Sequence, residues 1–391
     1  MVTVEENERM TRIGPGTAMG ALLRRYWHPV CPAVELTEAQ PKKRIRILGE
    51  NLLLFRDGSG KVGLVPEQCP HRRASLYYGF VEDDGIRCPY HGWKFDGARK
   101  CLEQPFEPKD SPLKNDIVQT NYKIEKLAGL YWAYMGPQPA PLLPRWEPLV
   151  AKDGMRRIMV LPEIEANWLQ IMENSVDATH TYYLHAHMSR QLGMPQRGDY
   201  HGRTIEAFKF EAVKDQAWSG IRKIRVYGGA NGETELGHPL IVPLTLLAPQ
   251  EQHMVMHFRV PVQDDRTRII RIQYTPGEDT STMDWESPPV VYVPPHKDEN
   301  GVYNLTTFTN QDAMAWETEG PIVDRPRELL GVSDGGIVLY RRMLMEQLEA
   351  LEEGQEPAGV IRDPALNQQI TIKISTGQAR IAKQRQSAIT G

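Results

Sequence analysis

Cys69-Pro-His71, followed after sixteen residues by Cys88-Pro-Tyr-His91, sets a C-x-H pair against a C-x-x-H pair. Two thiolates and two imidazoles in this spacing can hold a [2Fe–2S] cluster, with the cysteines on one iron and the histidines on the other. Neutral imidazoles leave less negative charge on the iron they bind, so the cluster is easier to reduce than an all-thiolate one. That suits an electron relay. A zinc site would normally put two to four residues between its first two ligands. The single residue here is tight for zinc, and a chance pattern in a proline-interrupted loop is the remaining alternative.

Outward from these loops the sequence reads as short strands. Lys43-Arg-Ile-Arg-Ile-Leu48 alternates with period two, Asn51 to Arg56 is its expected partner, and Asp57-Gly58 and Asp96-Gly97 mark hairpins. Leu127 to Tyr134 reads as a closing strand. Ahead of this β region, residues 1–25 form a helical lead-in, with Gly14-Pro-Gly16 as punctuation and Ala18 to Tyr26 as the helical stretch. The prolines of Pro137-Gln-Pro-Ala-Pro-Leu-Leu-Pro144 block helix and central strand alike and mark a boundary. The expected domains are therefore 26–140 around the cluster loops and 141–391 beyond.

In the second domain Glu163 to Tyr182 reads as a helix with Ile164, Trp168, Ile171 and Met172 on its apolar stripe. Strands are expected at Ile221–Tyr227, Leu240–Leu247, Met254–Pro261 and Thr267–Tyr274, and helices at Gln311–Glu319 and Gly336–Glu353. Gln369–Ile374 is a further strand candidate, followed by a polar tail. The order describes an α+β domain with a curved antiparallel sheet wrapped against a long helix.

The chain has 391 residues and a formal net charge of −4, with Lys and Arg in short runs, which offers no field for nucleic acid. The opening MVTVEENERM lacks the basic and apolar segments of a signal peptide, and no run of 18 apolar residues follows, so the expectation is a cytoplasmic protein outside the membrane. Of four cysteines, Cys31 and Cys101 have no ligand role. A thiolate-bound cluster in a reducing compartment argues against a disulfide between them.

A second constellation lies in Asn174-Ser-Val-Asp177-Ala-Thr-His180-Thr-Tyr-Tyr-Leu-His185. Asn174, Asp177 and His180 fall at i, i+3 and i+6, on one broad helical face. His185, five residues past His180, would sit about 140° around an ideal helix. The helix must therefore bend, unwind or end before it if the two act together. Satisfied core histidines bonded to Asp177 are one reading. The other is two ligands of the two-histidine, one-carboxylate triad that leaves positions open on Fe(II).

The cluster motif, with Gly92 and the pair Arg72-Arg73, resembles Rieske iron–sulfur domains. The second segment resembles the N-x-x-D-x-x-H-x-x-x-x-H motif of Rieske non-haem iron oxygenases. By that resemblance Cys69, His71, Cys88 and His91 ligate the [2Fe–2S] cluster, and His180 and His185 ligate a mononuclear Fe(II). Asp177 joins the two centres by accepting from His180 and from a cluster histidine, His91, across subunits of a homotrimer. The distant carboxylate is assigned to Asp312 in Thr309-Asn310-Gln311-Asp312, with Glu317 and Glu319 as alternatives. Asp312 can also be read as a helix N-terminal charge. Asn310-Gln-Asp312 and Gly320-Pro-Ile-Val-Asp-Arg325 look like the phthalate dioxygenase branch.

The resemblance implies an oxygenase component that hydroxylates a small aromatic substrate, with cis-dihydroxylation of an aromatic carboxylate favoured over O- or N-demethylation. The chain shows no G-x-G-x-x-G fingerprint and no length for a flavin domain, so NAD(P)H would act through a separate flavin/iron–sulfur reductase, alone or with a ferredoxin. An iron–sulfur electron carrier with a vestigial second site is the contrasting reading, separated by whether one iron per chain is present beyond the cluster. Trp218, Phe258, Leu244 and Leu246 are candidate pocket walls, though each also suits sheet core. Arg222, Arg225, Arg259 and Arg271 are candidate carboxylate partners.

Overall fold

The computed structural model describes residues 2–374 except 99, 109–110, 118–119, 195–204, 228–232, 250–252, 278–283 and 373. Thr3 and Thr17 cap two short helices, Val4–Thr11 and Ala18–Leu23, the second ending three residues earlier than its composition suggests. Three small antiparallel sheets follow. Lys42–Ile47, Glu50–Arg56 and Val62–Pro66 form one, and Trp27–Pro32 pairs with Leu130–Tyr134 and then Lys123–Leu127 in another. The third runs through Phe80–Glu82, Gly85–Arg87, Lys94–Phe95 and Cys101–Glu103 and carries the second cluster loop. The stretch expected as one strand over 127–134 is a hairpin. Ala128 and Gly129 both take positive φ, 52° and 74°, which matches the twist of a two-residue turn.

The second half is built on a nine-stranded sheet in the order Ile205–Lys214, Ser219–Tyr227, Leu240–Ile241, Thr245–Pro249, Met254–Gln263, Arg266–Thr275, Met155–Val160, Val290–Tyr292, with Glu233–Leu236 added beside Ser219–Tyr227. It is antiparallel except at the edge, where Val290–Tyr292 runs parallel to Met155–Val160. The expected strand at 240–247 divides in two, because the Val242-Pro243-Leu244 turn reverses the chain and pairs Leu240 with Leu246. Gln369–Ile374 contributes one bridge, Ile370 to Trp146, rather than a strand. The polar tail from 375 lies outside the described residues.

A single hydrophobic core joins the two halves. Trp27, Leu48, Trp132 and Tyr134 pack in the same cluster as Trp218, Leu244, Phe258, Ile270 and Leu344. Trp132 meets Phe258 edge to face at 4.9 Å. Trp218, Leu244 and Phe258 are therefore core residues at the junction of the domains, where they line a cavity with Trp27 and Trp132 that none of His180, His185 and Asp312 reaches. The Leu48-Gly49 turn donates both backbone N–H groups to the carbonyls of Pro261 and Val262. The helix Gly335–Glu352 covers the sheet with Tyr340, Met343, Leu344 and Leu348 inward.

Candidate functional site

The two cluster loops have the same hydrogen-bonded frame. Cys69 N–H donates to Ala74 O at 2.8 Å and Arg73 N–H to Cys69 O at 2.9 Å; Cys88 N–H donates to Trp93 O at 2.8 Å and Gly92 N–H to Cys88 O at 3.1 Å. Each loop turns through a left-handed residue, Arg73 (φ 65°) in the first and Gly92 (φ 73°) in the second. Glycine adopts that region without penalty, whereas arginine must be held there. The frame buries both cysteines at its base and leaves both histidines half-buried at its tip. His71 and His91 have ring centroids 4.7 Å apart, and His71 stacks on Trp93 at 4.2 Å. Arg87 fixes the second loop, donating to Gly92 O at 2.8 Å while its other nitrogens pair with Glu82 and Glu103.

Burial pushes the Cys69 thiol up to about 12, and the neighbouring Cys88 adds to it. A buried apolar pocket holding two adjacent thiols, with two imidazoles above, is a donor set that becomes anionic only with a metal to compensate it. The residues fit a two-iron cluster.

The helix expected over 163–182 is shorter, Trp168–Val176, capped by Asn167, whose side chain accepts from Leu169 N–H at 3.0 Å. It ends because Asp177 is extended (φ −72°, ψ 126°) and its Oδ1 accepts from Thr179 N–H, Thr179 Oγ1–H and His180 N–H at 2.7, 3.0 and 3.3 Å. An aspartate that bonds the backbone ahead of it competes with helix continuation. Asn174, Asp177 and His180 consequently do not share a helical face. Asn174 enters the site through its carbonyl, which accepts from Asp177 N–H at 3.3 Å.

The chain then re-enters a helix of a different kind, a π-helix over Thr181–His187 preceded by His180. Its i→i+5 hydrogen bonding sets residues five apart nearly above one another. The about 140° that would separate His180 from His185 on an α-helix is removed, and their ring centroids lie 5.3 Å apart.

Asp312 comes from the helix Phe308–Thr318, which Thr307 caps by accepting from Asn310 N–H at 3.2 Å. This start is three residues earlier than expected, so Asp312 stands in the second turn and its reading as an N-terminal helix charge weakens. His180, His185 and Asp312 each present one ligand-capable atom within 4.8 Å of the other two. His185 Nε2 is 3.2 Å from Asp312 Oδ1, an oxygen that is buried with no hydrogen bond among the described residues. His185 Nδ1 faces Gln311 Oε1 at 2.9 Å. Because Gln311 Nε2 donates to Leu305 O at 3.0 Å, its amide orientation is set and Oε1 must accept from His185 Nδ1–H. That leaves the Nε2 lone pair of His185 directed toward Asp312.

His180 Nδ1 lies 3.4 Å from Asp177 Oδ2. Burial opposes the Asp177 carboxylate, but His180 and the Thr179 N–H hold its carboxyl below the usual range. Burial likewise opposes Asp312, and His185 outweighs it and lowers the carboxyl. Two imidazoles and a carboxylate with an orphaned buried oxygen fit a mononuclear iron. Glu317 is engaged elsewhere, accepting from Lys297 at 2.7 Å and Tyr303 at 2.8 Å and facing His296 at 2.9 Å.

Sequence reasoning missed Gln311 and Phe308, whose ring stacks on His185 at 4.7 Å. Their adjacency to Asp312 was the available signal. It also left four arginines unranked. Lys223 donates to Ser175 O and Asp177 O, Arg225 to Ala178 O, and Arg259 to Ile171 O and Ser175 Oγ. These three cations hold the end of the Trp168–Val176 helix, where backbone carbonyls and the dipole favour positive charge. Arg222 lies opposite Glu211 in the register of the outer strand pair. Arg271 donates to the Thr309 hydroxyl at 2.8 Å, one helical turn from Asp312.

Residues 26–122 match the Rieske [2Fe–2S] domain family, and residues 297–386 the family described as LigXa C-terminal domain like. The 5,5'-dehydrodivanillate O-demethylase oxygenase subunit of Sphingobium sp. strain SYK-6 is 39% identical over 95% of this chain and 86% of its own. The chain is a Rieske non-haem iron oxygenase, of the oxygenase-subunit kind. The phthalate 4,5-dioxygenase oxygenase subunit of Pseudomonas putida is 31% identical over 92% of this chain and 89% of its own. Among solved structures, the oxygenase of carbazole 1,9a-dioxygenase in complex with ferredoxin shares the fold at a TM-score of 0.64 and 20% identity, covering 91% of this chain and 98% of that one. NdmA of Pseudomonas putida CBB5 does so at 0.62 and 20%, covering 87% and 96%. As a Rieske oxygenase the chain carries a [2Fe–2S] cluster and a mononuclear iron. No helix among the described residues is long and apolar enough to cross a membrane.

Proposed function

We propose that this Rieske oxygenase O-demethylates a methoxylated aromatic carboxylate. Cys69, His71, Cys88 and His91 hold its cluster and His180, His185 and Asp312 its iron. The convergence of the last three within 4.8 Å is the observation that carries the reading. The iron, when bound, supplies dioxygen activation with electrons arriving through the cluster. The protein's own groups set ligand identity and orientation: Gln311 fixes the tautomer of His185 and Asp177 faces the outer nitrogen of His180. A carboxylate substrate is supported by Arg271, which lies on a sheet strand and donates to the Thr309 hydroxyl one turn from Asp312. The 39% relative, named an O-demethylase oxygenase subunit, favours demethylation. The 31% phthalate relative supports cis-dihydroxylation as a second reading.

Electrons come from NAD(P)H through a separate reductase, alone or with a ferredoxin, in the cytoplasm. Within the described chain Asp177 makes no hydrogen bond to His91, whose ring stands half-buried at the tip of its loop. Coupling of the centres through Asp177 therefore belongs to a homotrimer in which the His91 tip of one subunit meets Asp177 of the next. The test is product analysis under ¹⁸O₂ with the reduced, iron-loaded protein and a panel of methoxybenzoates, phthalate and neutral arenes. Loss of a methyl group from an acid supports the proposal. Two labelled oxygens in one product establish the dioxygenase instead, and turnover of neutral arenes alone refutes the carboxylate.

A further inference from the structure

We propose that Arg271 and His257 form the anchor for the substrate's carboxylate, an inference that rests on the aromatic-acid reading above. The two residues are cross-strand partners, His257 in Met254–Gln263 and Arg271 in Arg266–Thr275, so their side chains share one face of the sheet. That face also bears Arg259, two residues from His257, which bonds Ile171 O of the Trp168–Val176 helix and has its guanidinium 5.3 Å from the ring of Trp316 on the helix that carries Asp312. Arg271 is tied to the iron site through Thr309, which precedes Asp312 by one turn of the same helix. Residues three apart on a helix are neighbours, with roughly 5–6 Å between their Cβ atoms. A benzene ring held at Arg271 by its carboxylate therefore has its far edge within reach of the iron ligands.

The hydrogen-bonding state of the pair points to a ligand. Arg271 Nε and both ring nitrogens of His257 are buried with no hydrogen-bond partner among the described residues. A buried donor left unmade costs about 1–3 kcal/mol, so two adjacent residues in that state are poorly explained by packing. Arg259 shares an unpartnered Nε but turns its Nη1 to Ile171 O and Ser175 Oγ, and Lys223 donates to Ser175 O and Asp177 O, so His257, with neither ring nitrogen bonded, is what sets this pair apart. The groups facing His257 are the cations Arg271 and Arg259 and the imidazole of His238; burial and these charges keep it neutral, with one N–H to donate and one nitrogen to accept. A carboxylate arriving here takes charge-assisted hydrogen bonds from the guanidinium and one from the imidazole. A carboxamide of the same shape keeps one neutral acceptor oxygen and puts an NH2 donor where the second carboxylate oxygen would face the guanidinium.

The test is calorimetric binding to the oxidised holoprotein, without turnover, of methoxybenzoates and of their carboxamides. The wild type should bind at least one acid about 10- to 100-fold more tightly than its amide, the range expected for charged hydrogen bonds. In Arg271→Gln that preference should fall to within about threefold with amide affinity unchanged, and His257→Phe should lower it part of the way. Should Arg271→Gln not fold, Thr309→Val, which removes the hydroxyl holding the guanidinium, should lower the preference several-fold. If the wild type prefers an acid and the variants keep that preference, the anchor is refuted while the aromatic-acid reading stands. If no acid is preferred, including no binding at all, the aromatic-acid reading fails and the anchor with it.

Discussion

Replacing Gln311 by methionine, which keeps the volume and removes the amide, isolates the group that orients His185. Gln311 is fully buried, accepts from His185 Nδ1 at 2.9 Å and donates to Leu305 O at 3.0 Å. Removing both bonds leaves an imidazole N–H and a carbonyl unsatisfied, which costs about 1–3 kcal/mol each. For the iron the consequence is separate. A histidine whose outer nitrogen has lost its partner is free to rotate or change tautomer, and loss of such partners typically lowers metal affinity 10- to 100-fold, about 1.4–2.7 kcal/mol. Competition with a colorimetric Fe(II) chelator reads that affinity, and the cluster's visible absorption in the same sample reports that the relay is intact. Gln170→Met is the control. Gln170 is equally buried and donates to Trp316 O and Gly320 O, both at 2.8 Å, with no contact to an iron ligand. Both variants should lose stability, and only Gln311→Met should lose iron. Unchanged iron affinity in Gln311→Met, or equal losses in the two, would refute the assignment of His185 Nε2 as ligand atom.

Asp177→Asn should keep both metals and reduce product formed per NADH consumed by tenfold or more, because the amide can still accept from Thr179 but turns an N–H toward His180 Nδ1; normal coupling would count against the bridging role. Glu173→Gln should destabilise the chain by about 3–5 kcal/mol in urea unfolding, since Glu173 is the shared buried partner of Arg325 and Arg341 at 2.8 and 2.6 Å. Glu317 carries a pH prediction. Burial opposes its carboxylate, but His296 and Lys297 hold its carboxyl at about 2, against 4.5 when free. A depressed folded value stabilises fully above 4.5 and is lost as pH falls toward 2, at most about 3 kcal/mol in total and roughly 1 kcal/mol of it by pH 4. The stability difference between wild type and Glu317→Gln should shrink accordingly between pH 6 and pH 4, and a constant difference would show that the pairing is not electrostatic.

Much of the chemistry was legible before any coordinates, because metal ligation is set by residue type and short spacing. Cys69, His71, Cys88 and His91 lie within two tight loops, and each loop closes on backbone hydrogen bonds of its own. The strands expected at 43–48, 221–227, 254–261 and 267–274 and the helix expected at 336–353 followed from periodicity and form within one or two residues of those bounds, since each buries one face against a common core. What failed was reasoning that extended a regular period through a break. Asn174, Asp177 and His180 look helical by spacing, yet Asp177 bonds the backbone ahead of it and ends the helix. The break expected before His185, from its offset of about 140° on an ideal helix, is present, but it takes the form of a π-helix. Propensity does not encode that choice. Its backbone is held by the stacking of His185 on Phe308 and its bond to Gln311, both from a helix more than a hundred residues away.

The arginines divide in the same way. Sequence placed Arg225, Arg259 and Arg271 on strands and gave each the same charge. Only packing decided that Arg225 and Arg259 hold the end of a helix while Arg271 stands beside Thr309, one turn from Asp312. Sequence alone offered the Cys69, His71, Cys88 and His91 donors, the His180 and His185 pair and the order of sheets and helices, which depend on neighbours along the chain, whereas Asp312 came only through the family resemblance. Tertiary structure determined which nitrogen of His185 faces Asp312 and which arginine stands beside Thr309, because each depends on hydrogen-bond partners that meet only when distant segments pack.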